Sequence, residues 1–300
     1  MVSAQASGAG ARPTIRVGPA GWSYKDWAGP VYPVPKPRGF DPLAYLAEYF
    51  DTIEINSTFY RPAARASADE WIRRVEDRAS FRFTAKLWSR FTHERDTAFT
   101  AGDVDAVHDA MAPLLDAGRL GALLLQFPWS FKRTDESRQW LDDVTRAFRR
   151  YPLVLEVRHE SWNVPGFYAE LAERAIGFVN IDQPRFRHSI KPSATATAPV
   201  GYVRLHGRNY QDWFREGAAV EERYDYLYSA DELEPWVERA KDIAAATIET
   251  FIITNNHFQG QAIVNALMLK AAIDGGRVAA PAPVVAAYPR ELDGVVAIPA

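Results

Sequence analysis

Eight short apolar runs recur along this 300-residue chain with amphipathic segments between them, and that alternation constrains the fold more than any other feature. The runs predict strands at Ile15–Gly18, Thr52–Asn56, Phe81–Lys86, Ala122–Gln126, Leu153–Arg158, Gly177–Asp182, Tyr202–His206 and Phe251–Asn255. Between them, Pro42–Phe50, Ala68–Glu76, Val104–Leu115, Ser137–Arg149, Gly166–Arg174, Ser229–Ala246 and Gly260–Ile273 carry apolar residues at helical spacing. Strand and helix in alternation imply parallel strands joined by crossover helices. Eight such units in roughly 260 residues match the size of an α/β protein with a single (β/α)8 TIM-barrel-like domain. A doubly wound open sheet is the competing arrangement, but no Gly-rich fingerprint follows the first strand. Gly118 and Gly121 ahead of the fourth strand read as a helix stop and a tight turn.

No linker divides the chain, so residues 13–274 are expected to form one barrel domain. The small, polar leader 1–12 is expected to be disordered, and the Ala-, Pro- and Val-rich tail 275–300 to be extended. A formal net charge of −3 supplies no bulk field for nucleic acid or an anionic membrane. The absence of cysteine excludes structural disulfides, Cys-ligated zinc and thiol catalysis. The leader lacks the apolar core of a signal peptide, and no run approaches the roughly 18 apolar residues of a membrane span. The expectation is a soluble, cytoplasmic protein.

The stretch "TIEINSTFYR" (52–61) shows how a site would be built on this frame. Ile53 and Ile55 alternate with Glu54 and Asn56, so packing the isoleucines against helices turns Glu54 and Asn56 into the barrel. The same parity puts Arg82, Thr84 and Lys86 inside from the third strand and Gln126 from the fourth. It adds Glu156 and Arg158 from the fifth, Asn180 and Asp182 from the sixth, and Arg204 and His206 from the seventh. In the eighth strand either Asn255 or Asn256 points inward. Polar groups therefore crowd the C-terminal ends of the strands, the face on which barrel enzymes place their chemistry. A purely structural ion-pair layer is the alternative, and it costs several kcal/mol of desolvation per ion.

Several blocks then resemble a known family: "GPAGWSYKDWAGPVYP" (18–33), "IEINSTFYR" (53–61), "FTAKLWSRFTH" (83–93), "LGALLLQFPWSF" (120–131), "LEVRHESW" (155–162), "YVRLHGRN" (202–209) and "NNHFQGQAIVNAL" (255–267). In this order they are similar to domain-of-unknown-function family 72, the YecE-like proteins. The resemblance implies a TIM-barrel-like fold and no assigned reaction. Thr254 departs from it, since the family often carries an aromatic residue before the Asn-Asn pair.

Glu54 and Glu156, on roughly opposite walls, are the candidate general acid and base, with Lys86 and His206 beside them as further catalytic candidates. Paired carboxylates are what glycoside hydrolysis uses, but the familiar retaining barrels take them from strands four and seven, which here end in Gln126 and His206. Lys86, Arg158, Arg204 and Arg208 offer cations for a phosphate or carboxylate. Trp22, Tyr24 and Tyr60 offer faces for a sugar ring or base, and Asn56, Gln126, Asp182, Asn255 and Asn256 offer hydrogen bonds.

Glu54, Glu156, Asp182, His206 and His257 are residue types that divalent ions accept, and endonuclease IV and sugar-isomerase barrels assemble metal sites from scattered strand ends in this way. The interleaved Lys86, Arg158 and Arg204 oppose a cation, so no metal or other cofactor is assigned. His93, His108 and His188 read as structural or solvated. Two classes stay open. One is an enzyme doing acid/base hydrolysis or isomerisation on an anionic, ring-containing small molecule such as a phosphorylated sugar or nucleotide-like compound, with metal-assisted phosphodiester hydrolysis as a variant. The other is a non-catalytic barrel that binds such a ligand.

Overall fold

The computed structural model describes residues 14–211, 215 and 223–297. Eight parallel strands form its centre: β1 (Thr14–Pro19), β2 (Thr52–Ile55), β3 (Arg82–Lys86), β4 (Leu120–Gln126), β5 (Leu153–Glu156), β6 (Gly177–Asp182), β7 (Val200–Leu205) and β8 (Glu249–Thr254). They pair in the order β1-β8-β7-β6-β5-β4-β3-β2. The remaining seam, β1 to β2, closes through a parallel bridge between Ala20 and Glu54, where the Gly21 N–H donates to the Glu54 carbonyl at 2.8 Å. This is a single (β/α)8 TIM-barrel-like domain.

Helices lie between most strands: α1 (Pro42–Ala47), α2 (Arg65–Arg74), α3 (Ala101–Asp116), α4 (Asp135–Ala147), α5 (Pro165–Glu173), α6 (Ala230–Ala245) and α7 (Gln261–Asp274). Their starts are chemically marked. Asp41 accepts from the Leu43 and Ala44 amides, and Pro42 opens α1. Thr100 with Asp103, and Ser229 with Glu232, form reciprocal capping boxes at α3 and α6. On the strands' outward face Ile53, Ile55, Phe83, Leu123, Leu125 and Leu155 are fully buried. Burying each contributes on the order of 1.5–3 kcal/mol, and this apolar face fixes which residues of β2, β3, β4 and β5 turn inward.

Strand β6 departs from the expected parity. Its register sets Val179 beside Tyr202 and Ile181 beside Arg204, so Asn180 and Asp182 share the outer face with Val203 and Leu205. No helix covers that face in the connection 183–199; polar chain covers it instead. The Asn180 amide oxygen accepts from the Ser193 hydroxyl at 2.7 Å and the Thr195 N–H at 2.8 Å. A strand backed by such chain can be polar outside, and its alternation then misreports the inside.

Two smaller differences concern glycine and the C-terminus. Gly118 has the positive φ of a helix stop, but Gly121 lies inside β4, where a Cβ would sit 2.2 Å from the Phe251 ring. In the segment read as an extended tail, a short helix α8 (Ala282–Ala287) forms and Val278 bridges to Val296. Val284 and Leu292 are buried there, so apolar burial folds the segment back. The leader 1–12 lies outside the described residues. Among the described residues no helix is long and apolar enough to cross a membrane.

The tight β1–β2 seam yields a test. A Cβ on Gly18 would lie 1.8 Å from the Thr52 carbonyl oxygen, which backbone cannot vacate cheaply. Gly18→Ala is expected to destabilise the fold by about 1–3 kcal/mol or more, read as a lowered melting temperature.

Candidate active site

At the barrel centre the Arg204 guanidinium holds two carboxylates at once. Its Nε and Nη2 donate to Glu54 at 3.0 and 2.6 Å, and its Nη1 donates to Glu156 at 2.7 Å. All three residues are buried from solvent. The Tyr202 hydroxyl donates to Glu54 at 2.9 Å and lies 2.7 Å from the Thr84 hydroxyl. Glu156 is further held by Arg158, whose Nε donates to it at 2.9 Å. His206 Nδ1 accepts from the Asn255 amide at 3.1 Å, which leaves the proton on Nε2 to face Glu156 at 3.1 Å.

These contacts set the charges. Burial pushes the Glu156 carboxyl up, but Arg204, His206 and Arg158 outweigh it and hold it well below the usual carboxylate range. Burial lowers His206 to about 3 against the pull of Glu156, so the imidazole is neutral. Burial also acts against the Arg204 charge, and Glu54 and Glu156 reverse that and raise its pKa. Two carboxylates and two guanidiniums thus compensate one another, as buried ions must.

Above this layer opens a cavity of about 540 Å³. Arg204, Lys86, Asn56 and Asn255 reach it from the strand ends, and Trp22, Tyr24, Phe59, Tyr60, Trp71, Tyr224 and His257 line its walls. Glu54 and Glu156 do not line it, because both are turned onto the arginines. Tyr24 stacks on His257 at 4.3 Å, donates to the Ala20 carbonyl at 2.7 Å and accepts from Asn56 at 3.4 Å. Trp22 meets Trp71 edge-on at 5.9 Å, and Tyr60 at the rim is 74% exposed. Lys86 Nζ stands 3.8 Å from the centroid of the Phe59 ring. Burial and then the Arg204 charge lower Lys86 to about 7, with Glu54 and Glu156 opposing.

The structure therefore brings Glu54, Lys86, Glu156, Arg158, Arg204, His206 and Asn255 together at one end of the barrel, with Trp22, Tyr24, Asn56 and Tyr60 above them. Gln126 is buried on the inner face opposite Glu156 in register. Three expected residues stand elsewhere. Asp182 faces outward to Arg208, whose Nε donates to it at 2.8 Å and whose Nη1 donates to Glu232 of α6 at 3.0 Å. Asn256 also turns outward and donates to Asn265 of α7 and to the Tyr226 carbonyl, both at 2.8 Å. Asp182, Arg208 and Asn256 knit the strands to the helical layer. Among the described residues no group of three or more His, Cys, Asp or Glu side chains is arranged to hold a metal.

Sequence reasoning passed over Tyr202, although the period that selects Arg204 and His206 also selects it. Trp71 and Tyr224 carried no local signal, since one comes from a helix and the other from a loop. Thr254, the departure noted above, is buried and donates to the Ala262 carbonyl at 2.8 Å, which ties β8 to α7.

Comparison with known proteins agrees with this architecture. The family described as "Protein of unknown function DUF72" matches residues 16–287. The UPF0759 protein YunF of Bacillus subtilis (strain 168) is 26% identical over 273 residues, covering 87% of this chain and 95% of that protein. The crystal structure of a DUF72 family protein from Thermotoga maritima superposes with a TM-score of 0.75 at 31% identity, covering 87% of this chain and 99% of that one. A DUF72 family protein from Enterococcus faecalis V583 gives a TM-score of 0.75 at 24% identity over 87% of this chain and 96% of its own.

Two outcomes follow from the buried layer. Glu54→Gln leaves Arg204 short of a countercharge and is expected to cost about 3–5 kcal/mol, measured by denaturant unfolding; an unchanged midpoint would contradict the ion-pair assignment. The second outcome concerns acid. His206 titrates at about 3 when folded and near 6.5 when unfolded, so the unfolded chain binds more protons between those values. Stability should fall as pH drops below about 6.5, with Glu156 adding its loss below the ordinary Glu range. In His206→Gln the upper part of that decline should flatten in a melting-temperature series.

Proposed function

The chain is a member of the DUF72 family, and on that premise we propose that it is an enzyme acting by acid/base chemistry on a small anionic molecule that contains a ring. The observation that supports this reading is the composition of one cavity. Its floor presents a guanidinium fixed by two buried carboxylates, a lysine stands beside it, and its walls are aromatic. Arg204 and Asn255 would hold a phosphate or carboxylate. The Trp22 and Tyr24 faces would take the ring. Lys86, near neutrality, matches what a general acid or base needs at physiological pH. In this reading Glu54 and Glu156 act through Arg204 and Arg158 and do not touch the substrate.

A second reading rests on that last point. Both carboxylates expected to do acid/base work are saturated by arginines, which also suits a barrel that binds the same anion without turnover.

The test is a thermal-shift and calorimetric panel of sugar phosphates, nucleotides and neutral sugars at low and high salt. Phosphorylated ring compounds are expected to bind, with affinity falling as salt rises. Lys86→Met is expected to keep binding within about tenfold while removing turnover. Salt-independent binding of neutral sugars alone would contradict the reading.

A further inference from the structure

Resting on that reading of the cavity, we propose that Lys86 is a nucleophile that condenses with the carbonyl carbon of an anionic, ring-bearing aldehyde or ketone to form an imine. Lys86 has no carboxylate bonded to its ammonium among the described residues. Every buried carboxylate near it is committed elsewhere: Glu54 to Arg204 and Tyr202, Glu156 to Arg204, Arg158 and His206. Among the described residues the Lys86 ammonium has no hydrogen-bonding or ion-pair partner, and its neighbour is the face of Phe59 at 3.8 Å. Yet Nζ belongs to a residue that lines an open, ring-sized cavity.

A lysine kept only to attract an anion is best left fully charged and well hydrated. Arg204, charged at every working pH, already supplies a cation at the same floor. Burial and that neighbouring charge instead bring Lys86 to about 7. At pH 7 roughly half of it is then uncharged, against fewer than about one in a thousand for an ordinary lysine. An uncharged amine in a partly apolar pocket beside a second cation is the arrangement that activates lysine toward carbonyls.

The step balances without a co-reactant. The Nζ lone pair attacks the carbonyl carbon, a C–N bond forms, and the C=O π pair moves to oxygen. That oxygen leaves as water after gaining two protons, both of which come from the original ammonium. Ammonium plus carbonyl gives protonated imine plus water, with no change of oxidation state. The cation so formed stays beside Phe59 and above the carboxylate layer.

Pyridoxal 5′-phosphate, an aromatic aldehyde bearing a phosphate, is the probe. The protein is incubated with it at pH 7, reduced with borohydride, digested and mapped by mass spectrometry. The expected result is one pyridoxyl-phosphate group on Lys86 well before any other lysine. Its rate should rise through about pH 7 and level off, while the other lysines continue to gain toward their ordinary range near 10.4. Lys86→Arg should lose this fast phase. Pyridoxine 5′-phosphate, which has the phosphate and ring but an alcohol in place of the aldehyde, reports the cavity independently. If it binds in a salt-dependent manner and Lys86 is labelled no faster than other lysines, the imine proposal is overturned and the anion-cavity reading stands. If neither compound engages the cavity, both fall.

Discussion

Arg204 is the group on which the rest of the site depends. A guanidinium at the centre of a protein loses several kcal/mol of hydration, and only close countercharges offset that loss. Glu54 grips it with two bonds and Glu156 with a third. Glu156 in turn binds Arg158 and faces a neutral His206 that is oriented by Asn255. The four charges cancel, and neither carboxylate lines the cavity, whereas Arg204 and Lys86 do. What is left looking up into the cavity is the positive side of the layer.

That polarity explains the state of Lys86. It sits on β3, the strand paired with β2, which carries Glu54. Because Arg204 takes both oxygens of Glu54, Lys86 meets a cation and an aromatic face. The ion pairs that hold the barrel centre together therefore also set the charges around Lys86. Moving a carboxylate toward Lys86 would raise its pKa and also strand Arg204.

Much of this was legible in the sequence and part was not. Period two placed Glu54, Lys86, Glu156, Arg204 and His206 together because β2, β3, β5 and β7 each carry an apolar outer face that must meet helices. The same rule misplaced Asp182 because β6 is backed by polar chain and by Arg208 of the loop after β7, so its polar face could be buried outside. Asn256 was undecidable for a related reason: its outward partner, Asn265, is the polar residue within the apolar run 262–269 of α7. Pairing was invisible altogether. Arg204 and Glu54 lie 150 residues apart, and nothing local says which of several cations each glutamate will take. The sequence therefore indicated two carboxylates as acid and base, whereas the geometry turns both onto arginines and out of the cavity lining.

The most direct measurement of this account is a carbon-13 NMR titration of the intact protein labelled at lysine Cε. If the carboxylates are consumed by Arg204 and Arg158, one lysine resonance, absent in Lys86→Arg, should titrate at about 7 while the others titrate near their usual value. A Lys86 resonance that titrates with the others would mean that a carboxylate compensates it, and would contradict the arrangement of charges on which the site is built.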